Sequence, residues 1–194
     1  MVACFTTYEV AELANASVRL VNKAIEEKIL SRIPSGSINA QTKMLPLHAI
    51  PYVAIMAKLA LTLSRETKST LAKNLSNLPV NRMTSQPLNI EPSVTIDVPT
   101  LIGSNLAERA ENYARAKQTY IDVYPDIMGG APVIRGTRMT VYSVQGRLDN
   151  GDRIEDILEE NPHITRDAVE TAAFYARTHP MRGRPNSRPW VKTA

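Results

Sequence analysis

The stretch from Tyr120 to Tyr142, YIDVYPDIMGGAPVIRGTRMTVY, constrains the fold more than any other part of the chain. It holds three of the eight glycines and two arginines three residues apart, Arg135 and Arg138, between short runs of β-prone residues. Tyr120 to Val123 reads as a strand. Pro125-Asp126 and Gly129-Gly130 punctuate a turn, because glycine reaches positive φ without steric cost and proline presets φ near a turn value. Ala131 to Ile134, with Pro132, can run extended; Arg135-Gly136-Thr137 turns again, and Met139 to Val141 starts the next element. The pattern is a hairpin set before helices.

Ahead of it the apolar spacing is helical. Thr6 and Glu9 stand at the spacing of a capping box, in which hydroxyl and carboxylate each accept a backbone N–H of the other residue. Val10, Leu13 and Ala14 form one apolar face, Asn15-Ala16 is a short break, and Ser17 can cap a second helix. In that helix Val18, Val21, Ile25 and Ile29 face inward at spacings of three and four. Ser17, Arg19, Asn22, Lys23 and Glu26 therefore point outward. Two short helices with so tight a turn read as a helix-turn-helix, with residues 17–28 as its recognition helix. Ile29 to Ile33 and Lys43 to Leu45 are short extended segments around Pro34-Ser35-Gly36-Ser37. They fit a β-wing with Arg32 and Lys43 near its base. Leu47 to Leu63 reads as a long apolar helix, and the apolar window from Leu45 to Leu63 is too interrupted by Pro46, His48, Pro51 and Lys58 to span a bilayer. Arg65 to Asn77 continues as a more polar helix.

Residues 78 to 93 contain three prolines and read as linker. Val94, Ile96 and Val98 alternate with polar residues as a half-buried strand, which can join a sheet with Tyr120–Val123. Ser104 to Gln118 is expected to be helical, with Leu106, Ala110, Tyr113 and Ala114 on one side. After the hairpin come Val141 to Asn150, a helix capped by Asp152 and Glu155 that ends at Pro162, and a helix capped by Thr165 with a small-residue face. The fold class is mainly α with short β hairpins (α+β): an N-terminal winged helix-turn-helix, then a β-hairpin with three helices in a helix-turn-helix-like bundle.

Charge divides the chain. Residues 1–78 carry nine Lys/Arg against five acids, 120–180 carry six against ten, and 181–194 carry four basic residues and no acid. A basic head, an acidic middle and a basic tail are surfaces that choose different partners. The single cysteine, Cys4, excludes an internal disulfide and fits a cytoplasmic protein, and nothing at the start reads as a signal peptide.

The string Asp126-Ile127-Met128-Gly129-Gly130-Ala131-Pro132-Val133-Ile134-Arg135-Gly136-Thr137-Arg138-Met139-Thr140-Val141 resembles the signature of domain-of-unknown-function family 433. The likeness covers residues 119 to 180. It implies an antitoxin module encoded beside a PIN-like toxin, and the whole chain is similar to the longer, VapB-type antitoxins. The first 78 residues resemble, by element order, winged-helix DNA-binding domains of the MerR sort. DNA bases would meet Ser17, Arg19, Asn22 and Lys23, since Asn and Arg suit bidentate contacts to A and G. A helix-turn-helix also packs helices without touching DNA, and a basic face can be merely solvated.

Chemistry by the chain itself is not expected. Gly129-Gly130 near Arg135 and Arg138 lacks the frame of a phosphate loop, so these residues, with Pro132, Gly136 and Thr137, read as a structural motif whose arginines pair with Asp122 or Asp126. His48, His163 and His179 lie in separate elements without metal-ligand spacing, and no nucleophile elbow occurs. No cofactor or metal is expected, nor any enzymatic activity.

The tail, Met181 to Ala194, carries Arg182, Arg184, Arg188 and Lys192, two prolines and the only tryptophan, Trp190. A polar basic tail can simply solubilise or grip phosphates, but a large aromatic in it reads as an anchor for a partner's pocket. The antitoxin resemblance implies that partner. An arginine can pair bidentately with the carboxylates of a PIN-like nuclease site, with Arg182 and Arg184 reaching it and Arg188 and Trp190 docking beyond. Residues 1–78 are thus expected to bind operator DNA, 79–93 to link, 94–180 to dimerise and bind partners, and 181–194 to bind the toxin. The expected function is a type II antitoxin that inhibits a PIN-like ribonuclease and autoregulates its operon. The alternative is a stand-alone MerR-like transcription regulator.

Overall fold

Thr6 and Glu9 make the capping box their spacing spells out. The Thr6 hydroxyl accepts from Glu9 N at 3.1 Å, and Glu9 Oε2 accepts from Thr6 N at 2.7 Å. They start α1 (Thr7–Leu13), just after strand β1 (Cys4–Phe5). The computed structural model describes residues 3–34 and 43–180. After α1, Asn15 takes a left-handed φ of 48°. Its N–H reaches Glu12 O, and Ala16 N reaches Ala11 O, the paired bonds of a Schellman stop. The helix α2 (Val18–Glu26) then begins at Ser17, whose hydroxyl accepts from Leu20 N at 3.3 Å. It ends in the same way: Lys28 has φ 58°, with bonds from Lys28 N to Ile25 O and from Ile29 N to Ala24 O.

Strands β2 (Ile33–Pro34) and β3 (Lys43–Pro46) pair antiparallel, with Ile33 opposite Met44. β1 pairs with the other edge of β3, Phe5 opposite Leu45, giving the order β1-β3-β2. The expected wing is therefore present as a strand pair, with a third strand that the sequence reading did not assign.

The helix α3 (Ala49–Lys58) is the centre of the first unit. Every residue from Ala49 to Ile55 is buried, and α1, α2 and a fourth helix, α4 (Arg65–Ser76), pack on it. A helix apolar on all sides belongs in a core, and each buried Ile, Val or Tyr contributes about 2 kcal/mol. Pro51 is tolerated because it lies in the first turn, where its missing N–H has no helical partner. The helix stops at Lys58, five residues short of the expected Leu63. Leu59, Leu61 and Leu63 alternate with Ala60 and Thr62, a period of two that suits extended chain, before Ser64 caps α4 by accepting from Thr67 N.

The stretch read as linker is structured. It carries α5 (Val80–Met83) and β4 (Leu88–Glu91), and Met83, Leu88 and Ile90 are buried in the same core. β4 pairs antiparallel with β5 (Val94–Ile96), Leu88 opposite Ile96. The expected strand thus exists, but its partner is the preceding segment, because Leu88 and Ile90 alternate with polar residues and complete a short hairpin. Asp97 caps α6 (Val98–Ile102), and α7 (Leu106–Tyr120) buries Leu106, Ala107, Ala110 and Ala114. Both helices pack on α3. A two-residue strand, β6 (Ile121–Asp122), ends the unit, so the first compact unit runs to Asp122 and includes the expected linker.

The second unit begins at Val123. Met128 to Gly130 forms one 3-10 turn in which Met128, Gly129 and Gly130 all have positive φ, which accounts for the glycine pair. The strand β7 (Val133–Ile134) bridges Thr140 across a turn at Arg135-Gly136, closed by Ile134 N to Met139 O at 2.9 Å. Helices α8 (Val141–Asp149), α9 (Ile154–Glu160) and α10 (Arg166–Thr178) follow. α10 turns Val169, Ala172, Ala173 and Ala176 inward, and this small-residue face lets α8 pack against it. The α9 cap is shifted by one residue from the expected pair. Asp156 accepts from Arg153 N, while Asp152 is held by Arg147 at 2.6 Å. Among the described residues more than half are helical and the strands form only short antiparallel pairs, so the fold is α+β with helix dominant.

Candidate nucleic-acid interface

The inward face of α2 fixes what its outward face presents. Val21 and Ala24 are buried, so Arg19, Asn22, Lys23 and Glu26 fall together on the exposed side at spacings of three and four. Lys23 is 63% exposed and lies 3.9 Å from Glu27. Ser17 is exposed at the N-terminus, where its hydroxyl is committed to the cap. The helix is about 14 Å long and its polar face has one cationic edge, dimensions that suit the major groove of B-DNA. Arg32 is exposed just before β2. Lys43 lies at the register position opposite Pro34 in β3, and its side chain is outside the described residues. α2 and the strand pair therefore belong to one packed unit, in the order of a winged helix-turn-helix.

Two ion pairs hold this arrangement, and neither is visible in the sequence as a pair. Glu27, the residue that ends α2, accepts from Lys68 Nζ of α4 at 2.9 Å. That hydrogen bond, with the Lys68, Lys23 and Arg65 charges, holds the Glu27 carboxyl below its usual value against the opposing effect of desolvation. Glu9 is 0% exposed, yet it is fully engaged. Tyr113 OH and Lys117 Nζ each donate to Oε1 at 2.7 Å, while Thr6 N donates to Oε2. One carboxylate thus caps α1 and ties it to α7. The partners lie 104 and 108 residues away in sequence, and only the capping half was legible.

In the second unit the cations are largely committed. Arg147 pairs with Asp152 and Glu160, Arg153 with Asp156, and Arg166 with Glu155 and Glu170. These pairs raise the Arg147 guanidinium above its ordinary value, the hydrogen bond to Glu160 being the largest cause. The acidic face of α9 is therefore a solvent-exposed set of ion pairs. Arg135 and Arg138 are both exposed beside the Gly136 turn, where Thr137 Oγ1 donates to Ile134 O, and Pro132 O accepts from Val141 N. His163 is exposed, His48 stands before α3 and His179 stacks on Tyr175 at 3.9 Å. Among the described residues no group of His, Cys, Asp and Glu could hold a metal ion, and no helix is long and apolar enough to cross a membrane. Arg182, Arg184, Arg188 and Trp190 lie outside the described residues.

Comparison with known proteins sets this geometry in a family. Residues 121–176 match the family described as protein of unknown function DUF433. Over 186 residues the chain is 30% identical to uncharacterized protein y4eO of Sinorhizobium fredii (strain NBRC 101917 / NGR234), an alignment covering 91% of this chain and 81% of that protein. The chain belongs to the DUF433 family. Its similarity to y4eO extends beyond the DUF433 residues into the winged unit. A crystal structure of a DUF433 member protein from Anabaena variabilis ATCC 29413 is 26% identical and covers 43% of this chain and 83% of that one, with a TM-score of 0.32.

Proposed function

We propose that this DUF433 protein is the antitoxin of a type II toxin–antitoxin system, a cytoplasmic homodimer that binds its own operator and blocks a PIN-like ribonuclease. The observation that carries the DNA-binding half is the exposed polar face of α2, Arg19, Asn22 and Lys23, in the same compact unit as the β2–β3 pair. The ion-pair lattice of the second unit supports the same division of labour. Arg147, Arg153 and Arg166 are already engaged by carboxylates, so that unit has little free positive charge for phosphates. Dimerisation would place two α2 helices on half-sites one helical turn apart. Arg182 and Arg184, with Arg188 and Trp190, would enter the acidic site of the nuclease. Inhibition is then by occlusion, and the chain does no chemistry of its own.

The two halves separate by mutation. Arg19→Ala with Lys23→Ala is expected to weaken operator binding and leave neutralisation of the nuclease encoded beside this gene intact. Truncation after Pro180 is expected to do the reverse, read as restored nuclease activity on co-expression. Full neutralisation by the truncated chain would overturn the tail assignment. Operator binding without any neutralisation would leave a stand-alone regulator.

A further inference from the structure

The extended run after α3 and the β4–β5 hairpin enclose a cavity of about 400 Å³ in the first unit. Leu59, Leu61 and Leu63 form one wall, because their period of two puts all three on the same side of extended chain. Ile90, Ile96 and Leu101 form the other. Leu61 is 66% exposed and Val94 36%, so the mouth is apolar and bare. Among the described residues the only charged side chain in the lining is Asp97, beside the hydroxyl-bearing Thr95 and Thr100. Asp97 already accepts from Thr100 N and Oγ1, which fixes its carboxylate; a carboxylate has lone pairs for about four donors, so capacity remains. A mostly apolar pocket of this size with a few convergent polar groups is the usual form of a small-molecule site.

We propose that this cavity binds a small apolar amine, its hydrocarbon body among the leucines and its ammonium at Asp97, and that occupancy is relayed through α4 to the DNA-facing helix. The relay is covalently and electrostatically continuous. Leu63 lines the cavity, and the next residue, Ser64, caps α4. Thr67 in its first turn donates to Glu91, the neighbour of the wall residue Ile90. Lys68, the following residue, holds Glu27 at the end of α2. A ligand that shifts the Leu59–Leu63 wall therefore acts on the first turn of α4 and on the pair that seats α2. Only the relay rests on the DNA-binding reading; the site itself does not.

The probe is 4-phenylbutylamine, with 4-phenylbutanol as its uncharged counterpart, titrated calorimetrically into the full chain. Saturable amine binding is expected, about threefold tighter than the alcohol, the worth of an exposed ion pair. Asp97→Asn keeps the helix cap and is expected to erase that preference. Leu61→Arg, at a position already exposed, is expected to weaken the amine at least about tenfold by blocking the mouth with like charge. No saturable binding up to about 5 mM overturns the site. Equal affinity for amine and alcohol overturns the role of Asp97. A native protein that self-associates and becomes monomeric on Leu61→Arg assigns the apolar mouth to a second copy and overturns the proposal. Saturating amine is expected to change affinity for operator duplex by about fivefold or more, and Lys68→Met to abolish that change while amine still binds. Amine binding with unchanged operator affinity overturns the relay. A protein that ignores DNA with and without amine counts against the DNA-binding reading, while the calorimetric titration still decides the site.

Discussion

Glu9 shows what one buried charge does in this chain. Its carboxylate is removed from water and compensated by Thr6 N, Tyr113 and Lys117, so each partner matters through what its loss would leave behind. Lys117→Met should cost about 3 kcal/mol in urea unfolding, because an unpaired carboxylate would remain buried. Adding Glu9→Gln to that variant should recover part of the loss, since an amide carries no net charge. Equal stability of wild type and Lys117→Met would show that the pair holds nothing. His48 gives a pH signature. Burial lowers its pKa from the usual value, so the native chain binds fewer protons than the unfolded chain. Stability should be full above about pH 6.5 and fall as pH drops through the lower folded value. His48→Asn should flatten that fall in melting curves, whereas a fall of the same size in the variant would assign it elsewhere. Of these two residues only the Thr6–Glu9 cap was legible in the sequence, because a capping box is a local event spanning four residues. The contacts to Tyr113 and Lys117 depend on the packing of a helix a hundred residues away, which no local pattern encodes.

At the scale of elements, α2 owes its length to its stops. Both α1 and α2 end in left-handed residues that are not glycine, Asn15 and Lys28. The left-handed region costs an L-residue about 1–2 kcal/mol, partly offset by the loss of backbone entropy that glycine brings. Lys28→Gly should therefore stabilise the chain by about 0.5–1 kcal/mol in thermal or urea unfolding. Destabilisation would mean that the Lys28 side chain does more than end a helix. The α2 boundary itself followed from apolar spacing and the Ser17 cap. The end of α3 did not, because Leu59, Leu61 and Leu63 look like continued helix until their alternation is set against the cap at Ser64. The stretch from residue 79 to 93 was misjudged for a related reason. Its prolines are conspicuous, while the two-residue period of Leu88 and Ile90 is short and marks a strand only once Val94–Ile96 lies beside it. The turn at Gly129-Gly130 and Arg135-Gly136 was legible because glycine at positive φ has a direct sequence mark.

At the scale of the molecule, the chain divides into a basic unit and an ion-paired one, and the proposed DNA binding falls to the first. Segment charges in the sequence indicated that division, and the structure adds that Arg147, Arg153 and Arg166 of the second unit are paired with carboxylates. What sequence could not show is that the winged unit continues through α7, since its core is assembled around α3 from helices and a hairpin contributed by some 120 residues. The claim most open to direct test is that α2 grips DNA. Duplex DNA from immediately upstream of the gene, labelled and titrated with protein over a range of salt, gives both affinity and the number of phosphates neutralised. The wild-type chain should bind at physiological salt with a steep loss of affinity as salt rises. Arg19→Ala with Lys23→Ala should bind more weakly, with a log–log slope shallower by about 2. Identical affinity and slope in the two proteins, or no binding by either, would contradict the assignment of α2.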